Sequence, residues 1–291
     1  MVVKYLKHTD IDIVKWDYCI RNSQNSIVYG MSWYLDVVCE NWDALIVDDY
    51  KAVMPLPWKS KFGIKYIYQP FFTQQLGLFF TDKQYNDINV FIKRIPFTFI
   101  KCDISVNYMN KILGARVKKN YILNLNKDYQ DLYSSFTTNT KRNIKKSYKN
   151  KLEINSNISV DNFIRLSRQN NISRLNNDNF KVLDVLFNVL ISKGYAKIVG
   201  VYNNEILIGA AFFIEFNNRI IYLFSTSSEQ GKDKRVMFAI VNNIINNNIN
   251  QNKILDFEGS MIESIARFFK GFGAIDVPYY NIKKSKILFH F

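Results

Sequence analysis

This chain has little cysteine, histidine or proline, and each shortage removes a class of function. Three cysteines (Cys19, Cys39 and Cys102) in 291 residues are too few and too scattered for a disulfide framework or a zinc knuckle, which need paired ligands at short spacing. They read as small buried hydrophobes. The two histidines, His8 and His290, stand at opposite ends of the chain, so a histidine-centred triad or metal site would have to recruit a terminal residue. No metal-ligand set is identified. No run approaches the roughly 18 to 20 apolar residues that span a bilayer, and Met1 to Asp10 lacks the apolar core of a signal peptide. The chain therefore reads as soluble and cytoplasmic. Five prolines and eleven glycines form no linker or low-complexity tail, so any domain boundary must come from the pattern of elements.

What is present is apolar and basic. With 48% hydrophobic and 15% aromatic residues, the chain can bury substantial cores, which excludes global disorder. Acids are outnumbered, 25 against 39 Lys+Arg, for a formal charge of 39 − 25 = +14. The same chain holds 34 Asn and 36 Ile, a bias towards residues with A/T-rich codons, so total charge alone says little about a partner. Its distribution says more. Lys141, Arg142, Lys145, Lys146, Lys149 and Lys151 fall within Asn139 to Lys151 with no acid among them.

The order of elements repeats. In the first half a helix at Ser32–Glu40 leads to a strand at Ala44–Val47, a tight Asp48-Asp49 turn and a returning strand from Lys51. A helix over Asp82–Arg94 and a strand at Phe97–Ile104 follow. In the second half a helix at Phe180–Ser192 leads to strands at Lys197–Tyr202, Ile206–Phe216 and Ile220–Ser225, separated by Asn203-Asn204 and Asn217-Asn218 turns. A helix at Val236–Asn247 and a strand at Lys253–Phe257 complete the pattern. Adjacent Asn or Asp residues tolerate the positive φ that tight hairpins require. Two similar α+β domains are expected, with mixed, mainly antiparallel sheets flanked by helices, over residues 1–130 and 131–291.

Three segments are candidate sites. The segment Leu132 to Asn150, LYSSFTTNTKRNIKKSYKN, offers N-cap candidates at Thr138 to Thr140 and predicts a short helix on which Lys141, Lys145 and Lys149 form one row and Arg142 and Lys146 the next. Like charges at that spacing cost an isolated helix about 0.2 to 0.5 kcal/mol per pair, and a phosphate-bearing ligand would offset the cost. The second segment is ILDFEGSMIESIARFFKGFGA, Ile254 to Ala274. Alternation places Asp256 and Glu258 on one side of a strand, Gly259-Ser260 breaks it, a helix starts at Ser260 or Glu263, and Gly273 closes that helix. Paired carboxylates there could deprotonate an amine or hold its ammonium form. The third is the turn STSSEQGKDKRVM, in which Gly231 stands among Lys232, Lys234 and Arg235; it reads as an open polar loop, or as an anion-binding group acting through side chains. All four tryptophans (Trp16, Trp33, Trp42 and Trp58) precede residue 59. They read as core packing or as the wall of a substrate groove.

The runs FTTNTKRNIKKSYKN, GAAFFIEFNNRIIYLFSTSS and LDFEGSMIESIARFFKGFGA, in that order, resemble the FemABX-like proteins. Those are tandem acyltransferases of the GNAT (acyl-CoA N-acyltransferase) fold, known for adding amino acids from aminoacyl-tRNA to lipid-linked cell-wall precursors. The resemblance extends over nearly the whole chain and adds closing strands at Ala274–Ile282 and Lys286–Phe291. It implies an N-acyltransferase with no tightly bound cofactor, in which acyl-CoA or aminoacyl-tRNA is the co-substrate. It also implies tRNA as a partner and an amine acceptor on a lipid-linked precursor, met at the inner face of the membrane. On that reading Glu258 and Asp256 are catalytic, while Lys141, Arg142, Lys145, Lys146, Lys232, Lys234 and Arg235 bind donor or acceptor phosphates. A lone Gly231 offers no glycine-rich backbone cradle for a pyrophosphate, so a second reading stays open. It is a non-catalytic module of the same fold that binds nucleic acid or an anionic membrane surface.

Overall fold

A computed structural model describes residues 2–149, 152–170, 175–259 and 261–285 of the chain. The expected strand at Lys286–Phe291 lies outside these residues, as do Lys151, Ser260 and His290. The chain forms two compact units, one running to Lys119 and resuming at Val277, the other spanning Asn120–Asp276.

The first unit opens with β1 (Val3–Leu6), α1 (Ile13–Asn22) and α2 (Ser32–Val38), then the strands β2 (Asn41–Val47), β3 (Ala52–Lys61), β4 (Ile64–Ile67) and β5 (Phe79–Phe80). The β2–β3 turn holds Asp48, Asp49 and Tyr50 at φ of 44°, 53° and 67°, the conformation that short polar side chains tolerate best. α3 is only Ile88–Ile92, where a helix over Asp82–Arg94 was expected. Asp82 and Asp87 each accept a backbone N–H two residues ahead, from Gln84 and Asn89 at 3.0 Å. Each thus starts its own turn and breaks the longer helix. β6 (Phe99–Val106) and β7 (Arg116–Lys118) follow. β4 runs parallel to β6, and Leu76 extends the parallel contact to Val106, so this sheet stays closed there. Trp16 and Trp42 are core: the Trp16 indole donates to the Gly30 carbonyl at 2.8 Å, and the two rings lie 5.1 Å apart. Burial pushes the Cys19 thiol up to about 12, so it stays a neutral small hydrophobe.

The second unit begins with β8 (Tyr121–Asn124), α4 (Tyr129–Ser135), α5 (Thr138–Lys149), β9 (Glu153–Asn155), α6 (Val160–Gln169) and α7 (Asn177–Ser192). The meander β10 (Ala196–Asn203), β11 (Ile206–Phe216) and β12 (Arg219–Ser227) follows, then α8 (Glu229–Asp233), α9 (Val236–Asn246), β13 (Ile254–Asp256), α10 (Glu263–Gly271) and β14 (Ile275–Asp276). The sheet order is β14-β8-β13-β12-β11-β10-β9. The β10–β11 turn sits one residue later than expected, with positive φ at Asn204 and Glu205. Successive residues of β11 serve opposite faces. Phe212 stacks on Phe187 of α7 at 3.6 Å, whereas Phe213 joins Val236, Ile240 and Ile244 of α9 in the other core layer.

α5 buries Thr140, Ile144 and Ser147, spaced i, i+4, i+7, so one stripe faces inward and the Lys/Arg rows are left for water. Asn242 of α9 ties this layer together. Its carbonyl oxygen accepts from the Tyr129 hydroxyl at 2.9 Å, and its amide donates to the Tyr148 hydroxyl at 2.7 Å. One buried amide thus holds α4, α5 and α9.

After β14 the chain returns to the first sheet. β15 (Tyr279–Ser285) pairs antiparallel with β6, register Ile282 to Ile104, and with β7, register Tyr280 to Val117. The closing strand expected over Ala274–Ile282 is therefore two strands in two sheets. The unit boundary also differs from the expected 130/131, because β8 lies between β13 and β14 in the second sheet. No short-range signal marks either event, since both are pairings between residues far apart in the chain.

Replacing Asn242 with Ala leaves the partly buried Tyr129 hydroxyl without its acceptor. Urea unfolding of Asn242→Ala is expected to show a loss of about 1 to 3 kcal/mol.

Candidate functional site

The site in the second unit starts from two parallel strands that separate. β12 has nine residues, but β13 accompanies it only along Arg219–Ile221, ending where Ile221 faces Asp256. On its other edge β12 stays paired with β11 as far as Ser227, with one irregularity: Phe213 faces Tyr222 while Phe212 faces Phe224, so Leu223 is an inserted residue. Such a bulge bends a strand and re-aims its side chains. Past Asp256 the chain turns towards β8, with the Phe257 N–H donating to the Tyr121 carbonyl at 2.9 Å and the Tyr121 N–H donating to the Glu258 carbonyl at 3.1 Å.

A cavity of about 330 Å³ lies against β12 just past its last pairing with β13, beginning at Tyr222. β12 contributes Tyr222, Ser225 and Ser227. The α8–α9 junction contributes Gly231, Lys232, Arg235, Val236, Met237 and Phe238. α10 contributes Ser264, Ile265, Phe268 and Phe269. Aromatic contacts stiffen the wall: Phe238 meets Phe268 edge-on at 4.9 Å, and Phe269 stacks on Phe257 at 5.0 Å.

Gly231 holds this junction by its size. α8 is capped by Ser228, whose hydroxyl donates to the Ile208 carbonyl and accepts the Gly231 N–H, both at 3.1 Å. A Cβ on Gly231 would stand 2.1 Å from the Ile208 carbonyl oxygen, so only glycine lets α8 lie against β11. The open polar loop expected here is therefore a short helix, and the Gly231 N–H is engaged by Ser228. Arg235 then takes a left-handed conformation, φ 62°, and turns the chain into α9 with no side-chain cap. The first-turn N–H groups of α9, at Val236 and Met237, have no carbonyl within the helix to receive them and mark the positive end of its dipole.

Two of the three cations expected in this segment line the cavity. Lys232 forms an ion pair with Glu229 at 2.5 Å, the Arg235 guanidinium donates to the Lys232 carbonyl at 3.3 Å, and Lys234 lies outside. Tyr222 is buried in the wall, and its hydroxyl donates to the Met237 sulfur at 3.5 Å. Burial pushes this phenol up to about 12, opposed in part by a hydrogen bond with Ser225, so it keeps its proton at neutral pH.

The other expected site residues are placed elsewhere. Asp256 is 1% exposed and accepts from Arg219, itself 12% exposed, at 2.5 Å, while its second oxygen accepts the Glu258 N–H at 2.9 Å. It holds the parallel strands together and does not line the cavity. The strand ends at Asp256, and Glu258 has φ of 60°, so the alternation expected to align the two carboxylates stops before Glu258. Glu258 is half-buried and also lies outside the cavity wall. Lys141, Arg142, Lys145 and Lys146 do occur on one helix, as expected, but α5 contributes no residue to the cavity. The Lys141 ammonium donates to the Ser134 carbonyl at 3.0 Å and lies over the Tyr133 ring.

Tyr222, the three serines, Met237 and the α10 aromatics were not anticipated. Ser225 and Ser227 of β12 and Ser264 on α10 resemble any small surface residue in sequence, and the two β12 serines follow a bulge at Leu223 that the sequence does not mark. Among the described residues no three His, Cys, Asp or Glu side chains cluster as a metal site, and no helix is long and apolar enough to cross a membrane.

No family model and no curated protein matches this chain. Solved structures do. A crystal structure of FemX superimposes with a TM-score of 0.71 over 99% of this chain and 98% of that one, at 13% identity. A tandem GNAT protein from the clavulanic acid biosynthesis pathway gives 0.57 over 99% of both chains at 7% identity. The C-terminal domain of a putative lysylphosphatidylglycerol synthetase from Agrobacterium fabrum gives 0.56 over 95% and 92% at 8% identity. The chain therefore has a FemX-like tandem GNAT fold, and the cavity lies in its second unit, among β12, the α8–α9 junction and α10.

Asp256→Asn removes the negative partner of a largely buried guanidinium. A stability loss of about 3 kcal/mol is expected by denaturant titration.

Proposed function

We propose that the chain is an N-acyltransferase that moves an acyl group from an activated donor, acyl-CoA or aminoacyl-tRNA, to an amine acceptor. The cavity formed by β12, the α8–α9 junction and α10 carries this reading. It joins an apolar chamber to Lys232, Arg235 and the α9 N-terminus, the arrangement suited to a donor with an acyl end and a phosphate-bearing end. FemX and the tandem GNAT protein share the fold, which supports the reaction class.

The neutral amine attacks the donor carbonyl directly. A C–N bond forms, the C–S or C–O bond breaks, and the leaving sulfur or oxygen takes the electron pair. Tyr222, protonated at neutral pH, supplies that leaving atom with a proton, and the proton given up by nitrogen restores the phenol. The backbone of β12 past Ile221, bent by the bulge at Leu223, offers N–H groups to the oxyanion. Glu258 and Asp256 lie outside the cavity, so positioning the amine falls to its lining residues.

One observation favours the second reading, a polyanion-binding module. Among the described residues no Asp, Glu or His lines the cavity, while α5 keeps Arg142, Lys145 and Lys146 exposed. Titration of acyl-CoA and aminoacyl-tRNA at two salt concentrations separates the two. Under the enzyme reading, Lys232→Gln with Arg235→Gln weakens donor binding about tenfold or more and flattens its salt dependence. If only the Lys141, Arg142, Lys145 and Lys146→Gln variant loses binding, and any polyanion binds alike, the module reading holds.

Tyr222→Phe is expected to lower turnover about a hundredfold with donor affinity little changed. Unaltered turnover would remove Tyr222 from the chemistry.

A further inference from the structure

We infer that the transferred group is an uncharged, apolar acyl chain rather than an α-aminoacyl group. The inference rests on the acyltransferase reading above and names the donor that its cavity fits.

An α-aminoacyl ester or thioester carries an amino group that is largely protonated near neutral pH. Burying that ammonium requires a carboxylate, or several acceptors, to replace its water. The cavity provides no carboxylate, and its neutral acceptors are hydroxyls that share the space with two cations. Its walls are Met237, Phe238, Ile265, Phe268 and Phe269, and its polar side chains apart from Tyr222 are three serine hydroxyls and two cations. Lys232 and Arg235, at the exposed rim of the cavity, would repel a third positive charge. The nearby acids face elsewhere. Glu229 pairs with Lys232 outside the wall, Glu263 pairs with Arg267 at 3.1 Å on the exposed side of α10, and Asp256 is held by Arg219. Tyr222 directs its proton to a sulfur atom, a weak acceptor that suits an apolar neighbour.

The apolar surface also continues outward. Met261, Ile262 and Ile265 at the start of α10 are 59%, 60% and 40% exposed, and Ile265 belongs to both the lip and the wall. A chain too long for the chamber would lie along these side chains and cover them. A small polar aminoacyl group would leave the lip and the aromatic wall unused, although large apolar side chains gain most when covered. The transfer itself is unchanged: RCO moves to nitrogen, the C–S or C–O bond breaks with its electron pair going to the leaving atom, and R is a hydrocarbon chain or ring.

The test is calorimetric titration of the full chain with matched donors. Propionyl-CoA and glycyl-CoA differ only in a methyl replaced by an ammonium, and butyryl-, hexanoyl- and octanoyl-CoA extend the apolar series. Alanyl-tRNA against N-acetylalanyl-tRNA makes the same comparison of charge on the other carrier. The expected result is that glycyl-CoA binds at least about tenfold more weakly than propionyl-CoA, with affinity rising up to about fourfold per added methylene. If tRNA is the carrier, N-acetylalanyl-tRNA is preferred over alanyl-tRNA. Equal or tighter binding of the amine-bearing donors would overturn the inference and leave N-acyl transfer standing. Absence of saturable binding by every thioester and ester would overturn the acyltransferase reading as well.

Discussion

The ion pair between Arg219 and Asp256 marks the place where the second sheet stops being a sheet. Arg219 opens β12 and Asp256 closes β13, and a second pair, Lys253 with Glu215, ties the strand before β12 to the residue before β13. Between Arg219 and Asp256 the strands run parallel, with Arg219–Ile221 against Ile254–Asp256. At the end of that pairing Asp256 accepts the Glu258 N–H and helps turn the chain away towards β8. A parallel pair normally needs burial on both faces. Here a charged clamp fixes its base, so the strands can part without unravelling. The cavity wall begins at Tyr222, the first β12 residue past that parting.

Two groups of cations fare differently in this architecture. Lys232 and Arg235 are brought to the cavity by a single buried glycine, whose absent side chain lets α8 press on the Ile208 carbonyl. The α5 cations are brought to the surface by an amphipathic stripe of Thr140, Ile144 and Ser147. The first arrangement is local and close-fitting, suited to one ligand. The second is a row of cations along a helix surface, suited to a field. The density of charge in sequence pointed to α5, although the less basic segment is the one that meets a chamber.

Legibility in the sequence followed the range of the interaction. The β11 strand Ile206–Phe216 and the start of α9 at Val236 were readable to the residue, because hairpin-forming Asn residues and apolar periodicity are encoded within a few positions. Gly273 was readable as the cap of α10, and it has φ of 76°. Asp256 and Glu258 were visible as acids but not as an anchor and a turn residue, since their roles depend on Arg219 and Tyr121, far away in the chain. The bulge at Leu223 had no signature at all. It exists because β11 and β12 differ by one residue between shared contacts, and that fact belongs to the pair. Tyr222 and the serines of the cavity were hidden for the same reason.

The return of β15 to the first sheet also has a consequence for how the molecule is made. β15 lies between β6 and β7, yet it leaves the ribosome only after every residue of the second unit has emerged. Until then β6 and β7 lack the strand that joins them. In vectorial synthesis the second unit thus has its whole described sheet in hand before β15 emerges, and until then the first unit carries an edge of unpaired backbone groups. The nascent first unit is the stage at which this chain is most vulnerable to mispairing.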